Sequence, residues 1–384
     1  MKAMFALIKE TSQQYVSYLK SQGNEVIEVQ LKDIFERFTI DVITNVAFGI
    51  KTDSLSDRNN TFYTLGKKIA QQTGIKGFIL FNAFPAALSK LIRVPVYSKE
   101  IREFFTAIVN ESIELREKSN IIRPDVLHLL MESRKGPMKV EEEIKDIPDE
   151  GFAVVEESGY DQGIEQIKMT NEMITAQALI FFLAGFETIS MLLSHTIYEL
   201  VINPDIQQKL RKELEETLLK SQGKLTYESV MRMQYLDMII SETLRKWPPF
   251  VVSDRKSTKP YVIEAKHPGE SDVHVEKDSI IFIPTYCIQM DPNNFSNPDK
   301  YDPERFSPEN RKKIKECTYI PFGFGPRNCI GSRFALMEAK LALVEIIENF
   351  EIVRISKSQI PLVIGKRSYN LVPDCGFWVG LKPR

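Results

Sequence analysis

No run of eighteen or so uncharged apolar residues occurs in this 384-residue sequence, so nothing in it reads as a helix built to span a bilayer. Met1 to Leu19 is amphipathic and lacks the continuous apolar stretch of a leader peptide; the chain reads as soluble or peripherally bound. Cysteines number four, Cys287, Cys317, Cys329 and Cys375. None forms a C-x-x-C pair and no histidine stands at a ligand spacing from them, which argues against a disulfide framework or a zinc site. No G-x-G-x-x-G dinucleotide loop and no internal repeat is present. A net charge of −2 gives no reason to expect nucleic acid as a partner.

What is present is mainly helical. Leu31 to Phe48 has apolar residues at helical spacing with Gly49 as a stop, and 99–119 repeats the pattern. The longest helix is expected from Met169 to Val201, capped by Thr170 or Asn171 and ended at Asn203-Pro204. Its middle, ALIFFLAG, is apolar all round and is expected to be buried. Helices follow at Pro204 to Ser221, Met233 to Lys246 and Ser332 to Asn349. Residues 261–265, 273–275, 279–286 and 376–381 have β character. The fold class is mainly α with minor β, read as a single domain over 1–384. The acidic stretch at about 134–168 reads as a solvated loop without chemistry. The apolar, aromatic stretch at 75–97 reads either as core or as a surface segment dipping into a bilayer.

The chemistry concentrates in Phe322 to Gly331, FGFGPRNCIG. Three glycines and a proline make this a tight loop, and a helix follows at once. Cys329 is thus expected where turn and helix N–H groups converge to lower its pKa, with Arg327 two residues away. A thiolate with no second Cys or His ligand suits a macrocycle that already supplies four iron ligands and needs one axial thiolate. A lone nucleophile would need a partner that no motif marks.

This loop resembles that of the cytochrome P450 family, F-x-x-G-x-R-x-C-x-G, matched here by Phe322, Gly325, Arg327, Cys329 and Gly331. The family's E-x-x-R is matched by Glu242 and Arg245, and its P-E-R-F by Pro303 to Phe306, with Arg305 standing 24 residues before Cys329. The long helix carries the family's A-G-x-E-T as Ala184, Gly185, Phe186, Glu187 and Thr188, followed by Ile189 where relatives often have Thr or Ser. YLDMIISETLR, DPERF and PFGFGPRNCIGSRFALMEAKLAL look most like the microsomal clan of vertebrate family 3 and insect families 6 and 9, with insect family 9 the nearest.

The resemblance implies a P450 fold and haem b (iron protoporphyrin IX) held through Cys329. Arg327 and Arg255 would pair with its propionates, and Glu242, Arg245 and Arg305 would form a structural triad behind it. Small Ala184 and Gly185 would let cofactor and dioxygen lie against the helix. Thr188 would hydrogen-bond dioxygen and Glu187 would relay protons; the bland alternative for Thr188 is a bond back to the carbonyl at i−4. Ile180, Leu183, Ala184, Pro249, Phe250 and Val251 would line the pocket. Electrons would come from NADPH–cytochrome P450 reductase, docked near Arg333 and Lys340, for monooxygenation of lipophilic xenobiotics or endogenous lipids by O2. The location implied is the cytosolic face of the endoplasmic reticulum membrane, touched through 75–97. The family usually starts with further elements, so the chain is expected to lack the N-terminal part of the fold and to bind haem poorly alone. Two rivals are a reductase-independent P450-type isomerase or peroxygenase and a non-catalytic haem-binding or apo remnant.

Overall fold

The computed structural model describes residues 1–72, 97–135, 152–153, 169–365 and 371–384. Most of the acidic stretch and nearly all of 75–97 lie outside these residues, so the readings made for them are not met by any observation below.

The core is built around α6, Asn171–Ile202, 32 residues and about 48 Å long at 1.5 Å per residue. The Thr170 side chain accepts the Met173 N–H to start it, and Asn203 ends it ahead of Pro204. Its closest neighbour is α2, Leu31–Phe48, a helix enclosed along almost its whole length and ended by Gly49 at φ 75. Further helices pack on this pair: α1 (Lys2–Ser21), α3 (Thr61–Gln72), α4 (Lys99–Ser119), α5 (Val126–Glu132), α7 (Pro204–Lys220), α8 (Tyr227–Met231), α9 (Gln234–Lys246) and α11 (Ser332–Asn349), with short α10 (Thr285–Gln289) between. Against the sequence reading, α6 is by length and composition able to cross a membrane, yet half of its most apolar window is buried against the rest of the fold.

The β part is small. Strands β1 (Ile27–Gln30), β7 (Trp378–Pro383) and β6 (Phe350–Val353) form an antiparallel sheet in that order. β2 (Ser253–Lys256) pairs with β5 (Ile280–Ile283), and β3 (Tyr261–Ile263) with β4 (Val273–Val275). The mainly-α reading with minor β holds.

Two further sequence readings need correction. Phe152 and Ala153, read as part of the solvated acidic loop, are not solvated. Phe152 stacks on Tyr319 and Phe306, its N–H donates to Asp237 at 3.0 Å, and Ala153 is buried. Nor is the middle of α6 buried all round: Ile180 is 55% exposed and Ala184 is exposed, while Phe182 and Phe186 point into an aromatic cluster with Phe48, Phe62 and Phe105. An apolar helix left bare along one stripe has a face still to be covered.

Candidate active site at the Cys329 loop

The cysteine loop folds back on itself. Cys329 N–H donates to the Phe322 carbonyl at 2.8 Å, and Asn328 N–H to the Gly325 carbonyl at 3.0 Å. Gly323 and Gly325 both sit at φ 77, a left-handed conformation that side chains other than glycine's rarely adopt. A Cβ on Gly325 would meet nothing within 4 Å, so this glycine serves the turn and leaves open space beside it. Gly331 has an ordinary backbone, caps α11, and turns its N–H toward the Cys329 sulfur.

That sulfur lies on an exposed residue. The expected convergence of several donors amounts to one, from Gly331. Desolvation by the surrounding loop outweighs it and pushes the thiol above its ordinary value. The loop alone therefore does not make a thiolate; a bound cation is what would hold the sulfur deprotonated.

Two guanidiniums have donors to spare. Arg327 is exposed and makes no hydrogen bond or ion pair with the described residues. Arg255, half-buried on β2 opposite Ile281, donates among the described residues only to the Asp254 carbonyl, at 2.8 Å. Close to the sulfur in sequence, Phe324 is exposed and Ile330 is 82% exposed. An accessible sulfur, uncommitted guanidiniums and bare apolar side chains fit a flat apolar group with anionic edges, which is the chemistry of haem.

On α6 the Thr188 hydroxyl donates to the Ala184 carbonyl at 2.8 Å, the bond back to i−4. Glu187 is half-buried, and its carbonyl accepts the Ser190 hydroxyl at 2.8 Å. Gly185 is small for a different reason than expected. A Cβ there would stand 2.8 Å from Cδ1 of Ile43 on α2, so the missing side chain serves the α2–α6 contact rather than a cofactor. Among the pocket candidates Leu183 and Val251 are half-buried, Pro249 is buried, and Phe250 is exposed. α6 and α11 pack together, and Phe334, five residues beyond Cys329, touches the cores on both sides.

Behind the loop, Glu242 and Arg245 form a fully buried forked pair at 2.7 and 2.8 Å, one helical turn apart on α9. Arg305 joins Glu242 at 3.3 Å, and the Asp302 N–H donates to the same carboxylate at 2.9 Å. The remaining Arg245 donors reach the carbonyls of Gln289 and Pro298. A buried charge with this many partners is stable in place, whereas either partner alone is not. Sequence reasoning missed Gln289 and Tyr319. The Gln289 amide donates to the Leu244 and Arg245 carbonyls, 3.0 Å each, and its oxygen accepts the Ile320 N–H at 2.9 Å. The Tyr319 hydroxyl donates to the Ser241 carbonyl at 3.2 Å. No local pattern announces either residue.

Of the two docking candidates on α11, Arg333 is exposed and Lys340 is not. Lys340 is fully buried, 2.9 Å from the Asp237 carboxylate and 3.3 Å from the Met231 carbonyl. Past its first turn α11 runs through the core, so Lys340 is a packing cation and cannot meet a partner protein.

Comparison with known proteins agrees with this arrangement. The cytochrome P450 family model matches residues 1–373. Cytochrome P450 9e2 of Blattella germanica is 40% identical over all of this chain and 72% of its own length. Probable cytochrome P450 9f2 of Drosophila melanogaster is 39% identical over all of this chain and 71% of its own length. Cytochrome P450 6k1 of Blattella germanica is 37% identical over 98% of this chain and 70% of its own. The chain, with its cysteine loop, its E-x-x-R pair and its long central helix, belongs to the cytochrome P450 family of haem monooxygenases.

Proposed function

We propose that residues 1–384 act as one haem-thiolate catalytic domain that carries out R–H + O2 + 2e⁻ + 2H⁺ → R–OH + H2O on lipophilic substrates, xenobiotic or endogenous. The observation that carries this reading is the exposed Cys329 on a glycine-turned loop, with one N–H aimed at its sulfur and Arg327, two residues earlier, without a partner among the described residues. Haem b, when bound, supplies the iron at which O2 is reduced and one oxygen atom is transferred.

The chain's own residues have defined tasks. Cys329 would hold the iron through its sulfur, and the Gly331 N–H would temper the charge on it. Arg327 and Arg255 pair with the two propionates, and Phe322 and Gly325 shape the turn that presents the sulfur. Ala184, small and exposed on α6, would leave room for the cofactor. The Thr188 hydroxyl, which donates to the Ala184 carbonyl, would turn its hydrogen bond toward O2, and Glu187 would supply protons to it. Ile180, Leu183, Pro249, Phe250 and Val251 line the apolar pocket. Glu242, Arg245 and Arg305 hold the frame behind the cysteine loop. Electrons come from NADPH–cytochrome P450 reductase, for which Arg333 remains a docking cation, at the cytosolic face of the endoplasmic reticulum membrane with 75–97 against the lipid.

The test is the carbon-monoxide difference spectrum of the dithionite-reduced, haem-loaded chain, followed by turnover of 7-ethoxycoumarin with NADPH and reductase. A red-shifted Soret band that Cys329→Ser abolishes, with NADPH-dependent turnover, is the expected result. Turnover by peroxide alone, with none from NADPH, would instead favour a reductase-independent isomerase or peroxygenase. No band from soluble protein would sink the monooxygenase reading and leave a non-catalytic remnant.

A further inference from the structure

His195 lies seven residues, two turns and about 10.5 Å, beyond Thr188 on nearly the same side of α6. It is fully buried, and three segments meet on its ring. Nδ1 stands 3.0 Å from the Met191 carbonyl of α6 itself. Nε2 stands 3.1 Å from the Leu371 carbonyl. One face stacks on Trp247 at 5.0 Å and 20°, and Phe377 meets it edge-on at 4.8 Å.

The Leu371 contact has a physical cost that a holding task explains. Leu371 adopts φ 48, a left-handed conformation disfavoured for a leucine, and its carbonyl ends at the imidazole. The adjoining backbone is stitched by the Gly365 N–H to the Val372 carbonyl at 3.0 Å and by the Ile364–Pro373 bridge. Burial holds the ring neutral, its pKa lowered to about 4, with Lys32 and Lys246 adding to the effect. The carboxylate on the next turn, Glu199, is already engaged by the Trp247 indole at 2.7 Å and Lys246 at 2.9 Å. A neutral ring has one N–H for two carbonyls, so it secures one contact by hydrogen bond and the other by packing.

We propose that His195 is a positioning residue for the substrate side of the reaction, fixing the Leu371–Pro373 backbone and the Trp247–Val251 linker to the turns of α6 that follow Thr188. The proposal rests on the haem-thiolate reading, because Phe250 and Val251, which follow Trp247, are its pocket candidates. The residue touches no reacting atom and acts through what it holds.

The experiment compares the haem-loaded chain with His195→Phe, which keeps an aromatic ring against Trp247 and Phe377 but loses both polar contacts. The expected result is an unchanged carbon-monoxide band, faster amide exchange in a 371–378 peptide, and a KM for 7-ethoxycoumarin raised roughly 3–10-fold, as loss of one buried hydrogen bond implies. kcat is expected to change less than about 2-fold, since uniform binding and not the barrier is affected. His195→Gln, which restores a donor, is expected to return exchange and KM toward wild type. Unchanged exchange and KM in His195→Phe would overturn the proposal, as would a Gln variant no better than the Phe variant. If His195→Phe does not load haem, exchange in the Gln variant decides: retained protection at 371–378 supports the anchor and lost protection overturns it. A missing band in the wild type would sink the haem-thiolate reading itself, and the exchange data would still judge the anchor.

Discussion

Gln289 accepts the Ile320 N–H at 2.9 Å, and through this bond the buried Glu242–Arg245 pair is tied to the approach to the cysteine loop. The same side chain donates to the two carbonyls that end α9, Leu244 and Arg245. One amide thus transmits the position of α9 to a backbone nine residues before Cys329.

Gln289→Ala leaves the Ile320 N–H and two carbonyls without partners in a fully buried site. The expected loss is ~1–3 kcal/mol, the usual range for a buried polar group stripped of its partner. Urea unfolding measures it, and amide exchange at Ile320 should rise while that of α6 does not.

Removing one partner of the α9 ion pair should cost more. Arg245→Ala strands the Glu242 carboxylate with only Arg305 and the Asp302 N–H. A loss of ~3–5 kcal/mol is expected, as for other buried pairs broken from one side. Arg245→Lys should recover little of it, because an ammonium cannot donate in parallel to both carboxylate oxygens and reach Pro298 as well. Denaturant midpoints of the two variants and wild type check the order.

Much of this was legible in the sequence because the informative residues are contiguous. Phe322 to Gly331 marks a turn by its glycines, and the helix after it begins and ends at Ser332 and Asn349 as read. Gly49 and Pro204 punctuate α2 and α6 where expected. What stayed hidden depends on partners far along the chain. A glycine reports that something approaches closely but not what, which is why Gly185 reads as a cofactor contact in the sequence and belongs to Ile43 in the fold. Lys340 looked like a surface cation because a lysine on a helix usually is one, and only tertiary packing shows it meeting Asp237. Glu338 carried no signal either: it is buried, neither carboxylate oxygen has a partner among the described residues, and desolvation drives its pKa well up. The strands Ile27–Gln30 and Phe350–Val353 are four residues each and paired only through β7, too short to show a period.

The α2–α6 contact makes a separate prediction. Gly185→Ala places a methyl 2.8 Å from Ile43 Cδ1 and 2.9 Å from Cγ1, an overpacking worth ~1–3 kcal/mol of stability. Ile43→Ala opens that space at its own cost. The double variant should be more stable than the sum of the two by at least ~1 kcal/mol, and a double-mutant cycle by thermal or urea unfolding measures the coupling.

Acid should act on His195. Its pKa is lowered from 6.5 to about 4 in the folded chain, so the unfolded chain binds the extra proton first as pH falls. The stability it contributes is complete above 6.5 and is lost on the way down to about 4, by up to ~3 kcal/mol at 1.36 kcal/mol per unit. Asp41 and Glu345, raised by burial to about 6 and about 7, run the other way and cost stability as pH rises through those values. Subtracting the His195→Phe curve from wild type isolates the histidine: the difference should move in favour of the variant as pH is lowered from 6.5 to 4.

Ile180, Phe250, Phe324 and Ile330 leave oil-like surface on three separate segments of the chain. Such surface is adhesive in water, so the yield of this protein is a matter of cofactor supply as much as of folding. Cells fed a haem precursor should deliver it dispersed, and starved cells should deliver it in inclusion bodies. Its handling in solution is governed in part by Ile180 and Phe250, two of the side chains that would line the reaction chamber.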